Sequence, residues 1–340
     1  MPAIARSAPP MAATCTAGQR DDSHGQRDDS HGQREDLPER RAGGTPGVAV
    51  ATAVIVHRSQ PQACVRTGHA LLHQAEQAGV TLRLVVADNG SSPEDRDHLR
   101  AGLPGAVLLE LGANTGFGPG ANAGLRHFLA GAPGELGDWV LVCPHDASPE
   151  PHCLERLLNA VAAHPHAGLA SAEYGDTSTN VKPMVHKYCG SYLVPSSRVP
   201  GWEDSGYPHG TLMVASRACL VDIGLFDERY FAYCEEADLG ERARRAGWQV
   251  GVVWGAVVRN PTMSSEVGVP EYLMVRNTLL LVRRHFGIFR AAVLFALTAW
   301  ITLVGVIVPS RQTPYWHLRG RLLGMRDFLL GRSGPPPRSW

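Results

Sequence analysis

The feature of this sequence that most constrains its fold is a set of continuous apolar runs that end in polar residues. The runs cover residues 48–56, 82–87 and 139–143. Because they do not alternate with polar residues, they are typical of parallel strands that are buried on both faces of a sheet. A helical pattern at about 62–78 separates the first run from the second. This alternation predicts an α/β fold with a doubly wound, mostly parallel sheet.

Polar side chains follow the three predicted strands. His57, Asp88 and Asp146 each come shortly after the last apolar residue of a run, and Asn89 follows Asp88 directly. Ligands bind at the carboxyl ends of the strands in sheets of this kind, so we expect these side chains to converge on one crevice. The alternative for Asp88, in the segment DNGSS, is a turn residue or a helix cap.

Composition excludes several classes of protein. The chain has 32 Lys plus Arg and 32 Asp plus Glu, so it lacks the overall positive charge that binds nucleic acid through phosphates. Its seven cysteines include no CxxC pair, which favours reduced, mostly buried thiols over a zinc or redox site. The N-terminus has no continuous apolar stretch typical of a secretory signal, and we therefore expect a cytoplasmic protein.

The first 46 residues form a low-complexity tail. The heptad GQRDDSH occurs at 18–24 and again at 25–31. With so few aliphatic residues, the tail cannot offset an ordering entropy of about 1–2 kcal/mol per residue. We therefore expect residues 1–46 to be disordered.

A glycine-rich segment, GANTGFGPGANAG, occupies residues 112–124 and precedes a helical pattern. Such a turn lets backbone N–H groups approach a phosphate at a helix N-terminus. The segment lacks the GxGxxG spacing of a dinucleotide fingerprint, and Pro119 removes one donor. The alternative is a structural turn that packs one helix closely on the sheet.

An acidic segment at 224–247, GLFDERYFAYCEEADLGERARRAG, places Glu235, Glu236 and Asp238 at the start of a predicted helix. Neighbouring carboxylates beside apolar rings raise one another's pKa, and this is one way to tune a general base toward neutral pH. The alternative is a solvated acidic helix start that complements the helix dipole.

Several motifs together resemble family 2 glycosyltransferases of the GT-A fold, in particular their rhamnosyltransferase-like branch. The motifs are DNGSS at 88–92, NTGFGPGANAG at 114–124, PHDA at 144–147, the segment 224–247 and RN at 276–277. The resemblance extends over roughly residues 48–332. It implies a Rossmann-like nucleotide-binding half, an acceptor half and a C-terminal helical extension.

The resemblance also implies a role for each matched position. The nucleotide of a sugar donor would contact His57, Asp88, Asn89, Asn114, Gly116 and Asn122. Asp146 would coordinate a divalent metal, Mn²⁺ or Mg²⁺, that neutralises the departing diphosphate. Glu236 would deprotonate the acceptor hydroxyl for an in-line, inverting attack on the anomeric carbon.

Two positions, Glu236 and Arg259, depart from the family pattern. Glu236 stands where the family usually has aspartate, so Glu235 or Asp238 are alternative bases. Arg259 replaces a histidine that helps to bind metal in many relatives. An arginine cannot bind a cation, but it can contact a diphosphate. Whether the enzyme requires a metal is therefore open. His209 lies where the family lines the acceptor side, and we expect it either to contact a sugar hydroxyl or to be structural.

The C-terminal region is basic and contains an uncharged apolar run at 291–308. From Glu271 onward there are ten arginines and two carboxylates. The run is just long enough for a spanning helix, and its basic flanks favour anionic lipid. Three arrangements remain open: contact in the plane of a membrane, a spanning helix, and burial against the catalytic domain or a second subunit.

The sequence therefore predicts an inverting glycosyltransferase with a disordered tail at 1–46, a GT-A catalytic domain at 47–265 and a basic helical region at 266–340. The donor would be a dTDP- or UDP-sugar, with a deoxyhexose such as rhamnose favoured by the branch. The acceptor would be a cell-envelope glycan, a glycolipid or a secondary metabolite. The alternative function is a non-catalytic nucleotide-sugar-binding protein. Nucleic acid is not an expected partner, whereas the inner face of the cell membrane and a second copy of the chain remain open as partners.

Overall fold

A computed structural model of the chain describes residues 48–175, 181–196, 199–260, 268–312 and 316–337. The predicted tail at 1–46 lies outside these residues, as does the predicted domain boundary between 265 and 266. The described part has a mixed α/β architecture followed by helices, which confirms the predicted fold class.

The first part of the chain alternates strands and helices. Its elements are β1 (Val50–His57), α1 (Pro61–Gln77), β2 (Thr81–Asp88), α2 (Pro93–Gly102), β3 (Val107–Glu110), α3 (Phe117–Ala130), α4 (Pro133–Leu136), β4 (Trp139–Pro144), β5 (Ser148–Pro149), α5 (Cys153–Ala163) and β6 (Ala167–Tyr174). The three apolar runs correspond to β1, β2 and β4. Each strand ends at or beside a polar residue singled out above.

The second part adds strands to the same sheet and then continues as helices. Its elements are β7 (Val181–His186), β8 (Gly190–Pro195), β9 (Gly201–Asp204), β10 (Met213–Ser216), α6 (Arg217–Ile223), a 3-10 turn (Glu228–Tyr230), α7 (Glu235–Arg245), β11 (Gln249–Arg259), α8 (Val269–Phe286), α9 (Ile288–Ile307), a second 3-10 turn (Pro309–Arg311) and α10 (Leu318–Leu329).

The main sheet has the strand order β3-β2-β1-β4-β10-β6-β11-β5, with β9 also paired to β11. Strands β3, β2, β1 and β4 are mutually parallel, and β6 is parallel to β11. Strand β10 runs antiparallel between β4 and β6. Strands β7 and β8 form a separate antiparallel hairpin. The carboxyl ends of β1, β2 and β4 therefore meet at one edge, as the sequence predicts.

Both faces of the sheet are covered, which explains why the strand sequences are continuously apolar. Ala53 and Ile55 belong to the core that contains α1 and α5, whereas Val54 and Val56 face the core that contains α3 and α7. The glycines of α3 allow it to lie close to the sheet, since a Cβ on Gly124 would lie 2.3 Å from Val54 Cγ1. Close packing of one helix is thus one function of the glycine-rich segment.

The C-terminal helices pack on one another and on the catalytic domain. The core between α8, α9 and α10 includes Leu279, Ala291 and Phe328. By length and composition, α9 is the one helix among the described residues that is long and apolar enough to cross a membrane, which is weak evidence by itself. Its outward side is exposed, so α9 is only partly covered by the domain.

Candidate active site

A cleft of about 1080 Å³ opens at the carboxyl edge of the sheet. One wall is formed by the ends of β1 and β4 and by the turn before α3, and the other by the loop before α7 and the first turns of α8. Residues 335–337, which follow α10, complete the lining. The predicted crevice is therefore present, and the C-terminal helical region contributes part of it.

His57 and Asp88 form a buried pair at the floor of the cleft. The His57 Nδ1 atom lies 3.1 Å from Asp88 Oδ1, and neither side chain is exposed. The backbone N–H of Gln60 donates to His57 Nε2 at 3.1 Å, which assigns the ring proton to Nδ1. Burial lowers the pKa of His57, so the imidazole is neutral at pH 7 despite its carboxylate partner. His57 lines the cleft, whereas Asp88 lies behind it and orients its ring.

Asn89 organises the turn that precedes α3. Its Oδ1 atom accepts hydrogen bonds from the backbone N–H and the hydroxyl of Thr115, and its Nδ2 atom donates to the Gly116 carbonyl. Asn114 caps the same turn by accepting from the Gly116 N–H at 3.1 Å. Gly116 has a φ of 99°, and a Cβ there would lie 2.2 Å from the Phe231 carbonyl oxygen. Asn89, Asn114 and Gly116 all line the cleft.

Asn122 is located elsewhere. Its side chain accepts from the Phe226 N–H at 3.0 Å and donates to the Phe226 carbonyl and to Glu228 Oε1. It therefore ties α3 to the segment before α7 and does not reach the lining of the cleft. The structure gives Asn122 a role in positioning this segment.

Asp146 and His145 lie together where β4 ends, and both line the cleft. The His145 Nδ1 atom faces the Val56 carbonyl at 3.3 Å, while its buried Nε2 atom has no hydrogen-bond partner. Burial lowers the pKa of His145, which leaves it neutral at pH 7. No group of three His, Cys, Asp or Glu side chains is placed to hold a metal among the described residues. A carboxylate with an adjacent unpartnered imidazole nitrogen nevertheless fits a Mg²⁺- or Mn²⁺-type ion, because such ions take most of their remaining ligands from substrate phosphates and water.

A strained loop carries the two adjacent glutamates into the cleft. Phe231, Tyr233 and Cys234 have φ values of 55°, 67° and 73°, and Cys234 is the N-cap of α7. The buried Asn277 of α8 holds this loop: its Nδ2 atom lies 2.8–2.9 Å from the carbonyl oxygens of residues 230, 232 and 233. The loop ends at Glu235 and Glu236, both of which line the cleft.

The two glutamates have strongly perturbed environments. Glu235 is 2% exposed, and its buried Oε2 atom has no hydrogen-bond partner. Burial, together with the charge of Glu236, raises the pKa of Glu235 well above its usual value. Burial also raises the pKa of Glu236 to about 7. The burial of Glu235 and the raised pKa of Glu236 argue against the alternative of a solvated helix start, and a carboxyl group that titrates near neutral pH suits a general base.

Asp238 lies on a different side of α7 from the cleft. It is fully buried, and its carboxylate contacts Arg242 at 2.8 Å, Arg284 at 3.0 Å and His285 at 2.8 Å. Two of these partners come from α8. Asp238 thus fixes α7 to α8, and it is not brought together with Glu235 and Glu236 in the lining of the cleft.

Arg259 and His209 also have defined partners. Arg259 donates to Glu150 Oε1 at 2.6 Å and to the Gly175 carbonyl at 2.7 Å, and it does not line the cleft. His209 does line it; its ring stacks on Tyr174 with centroids 4.8 Å apart. Burial lowers the pKa of His209 to about 4, so the imidazole is neutral and its Nδ1 atom can accept from the Thr211 hydroxyl at 2.9 Å.

Sequence reasoning missed two contributions to the site. Asn277 belongs to the RN pair in the resemblance, but its role as the support of the glutamate loop was not predicted. Tyr174, which lines the cleft and stacks on His209, was not singled out either. The signal for Asn277 was its position in a motif; nothing in the sequence pattern distinguishes Tyr174.

Comparisons with known proteins agree with this geometry. The family described as Glycosyl transferase family 2 matches residues 52–213. The N-acetylglucosaminyl-diphospho-decaprenol L-rhamnosyltransferase of Mycobacterium tuberculosis, from two strains, is 29% identical over 283 residues, which cover 74% of this chain and 83% of the relative. The alignment with this relative is longer than the region that matches the family.

Solved structures share the fold at low sequence identity. GalNAc-T7 with UDP, GalNAc and Mn²⁺ gives a TM-score of 0.56 at 12% identity over 83% of this chain, which spans only 54% of that protein. The mannosyltransferase PcManGT from Pyrobaculum calidifontis with GDP-Man and Mn²⁺ gives a TM-score of 0.54 at 15% identity. The match covers 85% of this chain and 90% of the mannosyltransferase chain. The chain is therefore a glycosyltransferase with the GT-A fold; its residues 52–213 match glycosyl transferase family 2, and it is similar to a rhamnosyltransferase.

Proposed function

We propose that this enzyme transfers a rhamnosyl group, or a related deoxyhexosyl group, from a dTDP- or UDP-sugar to a hydroxyl of a lipid-linked glycan, with inversion at the anomeric carbon. The Mycobacterium tuberculosis relative supports this choice, because its name specifies both a rhamnosyl donor group and a diphospho-decaprenol acceptor. The observation that carries the catalytic part is the Glu235–Glu236 pair in the cleft, with a Glu236 pKa of about 7.

The chemistry assigns separate tasks to the two glutamates. Glu235 holds its proton to higher pH than an exposed glutamate does, because burial and the neighbouring charge raise its pKa. Glu236, the more exposed of the two, accepts the proton of the acceptor hydroxyl. The hydroxyl oxygen then forms a bond to the anomeric carbon as the bond from that carbon to the diphosphate breaks, and the nucleoside diphosphate leaves.

The donor would lie on the opposite wall. The turn held by Asn89 and the His57 ring offer polar groups to the nucleotide, and Asp146 with His145 offers two metal ligands. A divalent ion at this position would neutralise negative charge on the departing diphosphate. The neutral His209 on the acceptor side can donate from Nε2 to a sugar hydroxyl. Arg259 is engaged by Glu150, so we assign it no contact with the diphosphate.

Two measurements test this proposal. A thermal-shift panel with dTDP, UDP and GDP, with and without Mn²⁺ or Mg²⁺, identifies the nucleotide, since a ligand at a hundred times its Kd adds about 2.7 kcal/mol. Turnover of the stabilising nucleotide's deoxyhexose derivative with a lipid-linked N-acetylglucosaminyl diphosphate should then be lost in Glu236→Gln, while the thermal shift is retained. The proposal fails if no nucleoside diphosphate stabilises the folded protein, or if Glu236→Gln turns over at the wild-type rate.

A further inference from the structure

The surface of α9 has the reverse of the usual polarity of a helix that packs on a soluble domain. One stripe of side chains along it is exposed to solvent, and every member is apolar: Phe289, Ala292, Ala296, Trp300, Leu303 and Ile307. Phe289, Trp300 and Ile307 are 73%, 62% and 68% exposed. The six members of the stripe are three or four residues apart, which places them on one helical face. An exposed apolar face of this length, with aromatic residues in it, is typical of an interaction surface.

The opposite face of α9, which contacts the domain, contains the polar groups. Thr302 is buried, and its hydroxyl accepts a hydrogen bond from Arg321 Nε at 2.9 Å. The same arginine pairs with the buried Glu271 of α8. Thr302 on the inner side of α9 is therefore bound by the protein, whereas the apolar stripe faces solvent.

Contacts at both ends hold α9 against the domain. Near its start, Ala291 is fully buried in the core with Leu279 and Phe328. Near its end, a Cβ on Gly305 would lie 2.2 Å from the Trp316 ring, so the two are in close contact. Both ends of α9 therefore pack on α8 or on residues of the 316–337 segment, and α9 lies along these neighbours.

Charge favours lipid over a second copy of the chain as the partner of this face. Among the described residues from 268 onward, six arginines are exposed: Arg283, Arg284, Arg311, Arg319, Arg326 and Arg332. The two carboxylates of the same residues, Glu271 and Asp327, are buried and paired with arginines. Two copies that met through this region would bring arginines together, whereas an anionic membrane surface would attract them by about 1 kcal/mol each.

We propose that the exposed face of α9, flanked by these arginines, docks the enzyme in the plane of an anionic lipid bilayer. An interfacial helix of this kind buries its apolar face at the boundary of headgroups and acyl chains. Helix α8 packs on α9, and its residues Leu273 and Met274 line the catalytic cleft. Docking would therefore bring the acceptor side of the cleft close to the bilayer. The inference does not depend on the identity of donor or acceptor, because docking is measurable without either.

Flotation of the full-length protein with lipid vesicles tests this docking. We expect it to float with phosphatidylcholine vesicles that contain about one third phosphatidylglycerol, and to bind pure phosphatidylcholine roughly a hundredfold more weakly. The double substitution Trp300→Glu and Leu303→Glu should lower binding to the anionic vesicles at least about tenfold. Both positions are exposed, so the substitutions leave the core intact. Val221→Glu on α6 is the matched control, since Val221 is 70% exposed on the catalytic domain, and it should bind as wild type does.

Three outcomes would overturn the inference. The first is the absence of binding to anionic vesicles, or equal binding of the double variant and the wild type. The second is resistance to extraction by alkaline carbonate, which would indicate that α9 spans the bilayer. The third is a stable dimer in lipid-free solution that dissociates in the double variant, as measured by sedimentation, which would show that a second copy covers this face. Catalytic turnover enters none of these readouts, so failure here is distinguishable from failure of the proposed function.

Discussion

Replacing Asn277 with alanine should damage both the stability and the turnover of the enzyme, because this one side chain supports the loop that carries the glutamates. Its amide nitrogen has two hydrogens, which are shared among three carbonyl oxygens at 2.8–2.9 Å. Asn277 is completely buried, so water cannot replace it without entering the core. A buried hydrogen-bonding group left without a partner costs about 1–3 kcal/mol. With two donors lost, we expect the free energy of unfolding to fall by about 2–5 kcal/mol.

The loop should also change its conformation. Phe231, Tyr233 and Cys234 hold positive φ values that are unfavourable for side chains larger than glycine, at about 1–3 kcal/mol each. Such strain persists only where surrounding contacts determine the backbone. Without Asn277 we expect these residues to relax, which would displace Glu235 and Glu236 from the cleft. His57 and Asp146 lie at the ends of β1 and β4 on the opposite wall, and their positions should be unaffected.

The assay compares Asn277→Ala with Asn159→Ala, which removes an exposed asparagine from α5. We expect the Tm of Asn277→Ala to fall by about 4–10 °C and its kcat to fall at least about tenfold at a temperature where it is folded, with little change in the KM for the donor. Asn159→Ala should match wild type in all three quantities. A folded Asn277→Ala protein with wild-type kcat would refute the assignment of Asn277 as a positioning residue.

Four further predictions concern the cleft. The rate should rise with pH around a midpoint near 7 as Glu236 loses its proton. The same raised pKa means that the native state binds more protons than the unfolded state between pH 4.5 and 7, so denaturant titrations should show that wild type loses stability relative to Glu236→Gln as pH rises through that range. Gly116→Ala should lower Tm, because its Cβ would collide with the Phe231 carbonyl at a positive φ, whereas Gly105→Ala, with open space around it, should not. Asp146→Ala should abolish any increase in nucleoside-diphosphate thermal shift that Mn²⁺ causes in wild type, and persistence of that increase would exclude Asp146 as a ligand.

Local sequence predicted the sheet and one wall of the cleft because both depend on short-range patterns. A buried parallel strand needs a continuous apolar run, and its carboxyl end needs polar residues wherever it meets solvent or ligand. His57 and Asp146 follow β1 and β4 for this reason, and both line the cleft. Asn89 follows β2 in the same way and shapes the glycine-rich turn through three hydrogen bonds.

The roles of Asp238 and Arg259 were not predictable in the same way, because distant residues decide them. Asp238 shares a helix start with the glutamates, but Arg284 and His285, about 47 residues later, bind its carboxylate on the other side of α7. Arg259 has a guanidinium group that suits a diphosphate contact, yet Glu150, which directly follows β5, accepts a hydrogen bond from it. A pattern of residue types shows which side chains share one helix or strand. It does not show which distant residue will contact each of them in the folded protein.

The dependence of the glutamate loop on α8 links the catalytic centre to the C-terminal region. A chain of buried contacts runs from Asp327 of α10 through Tyr272, which donates to it at 2.9 Å, to Arg276, which donates to the Tyr272 hydroxyl and to Asn277 Oδ1 at 3.0 Å. Asn277 then holds the loop before Glu235. The matched family region ends at residue 213. Every residue in this series of contacts, and the loop itself, therefore lies beyond the matched region. The C-terminal helices are thus part of the structure that positions Glu235 and Glu236, and contact of α9 with a lipid surface would act on the same packed unit.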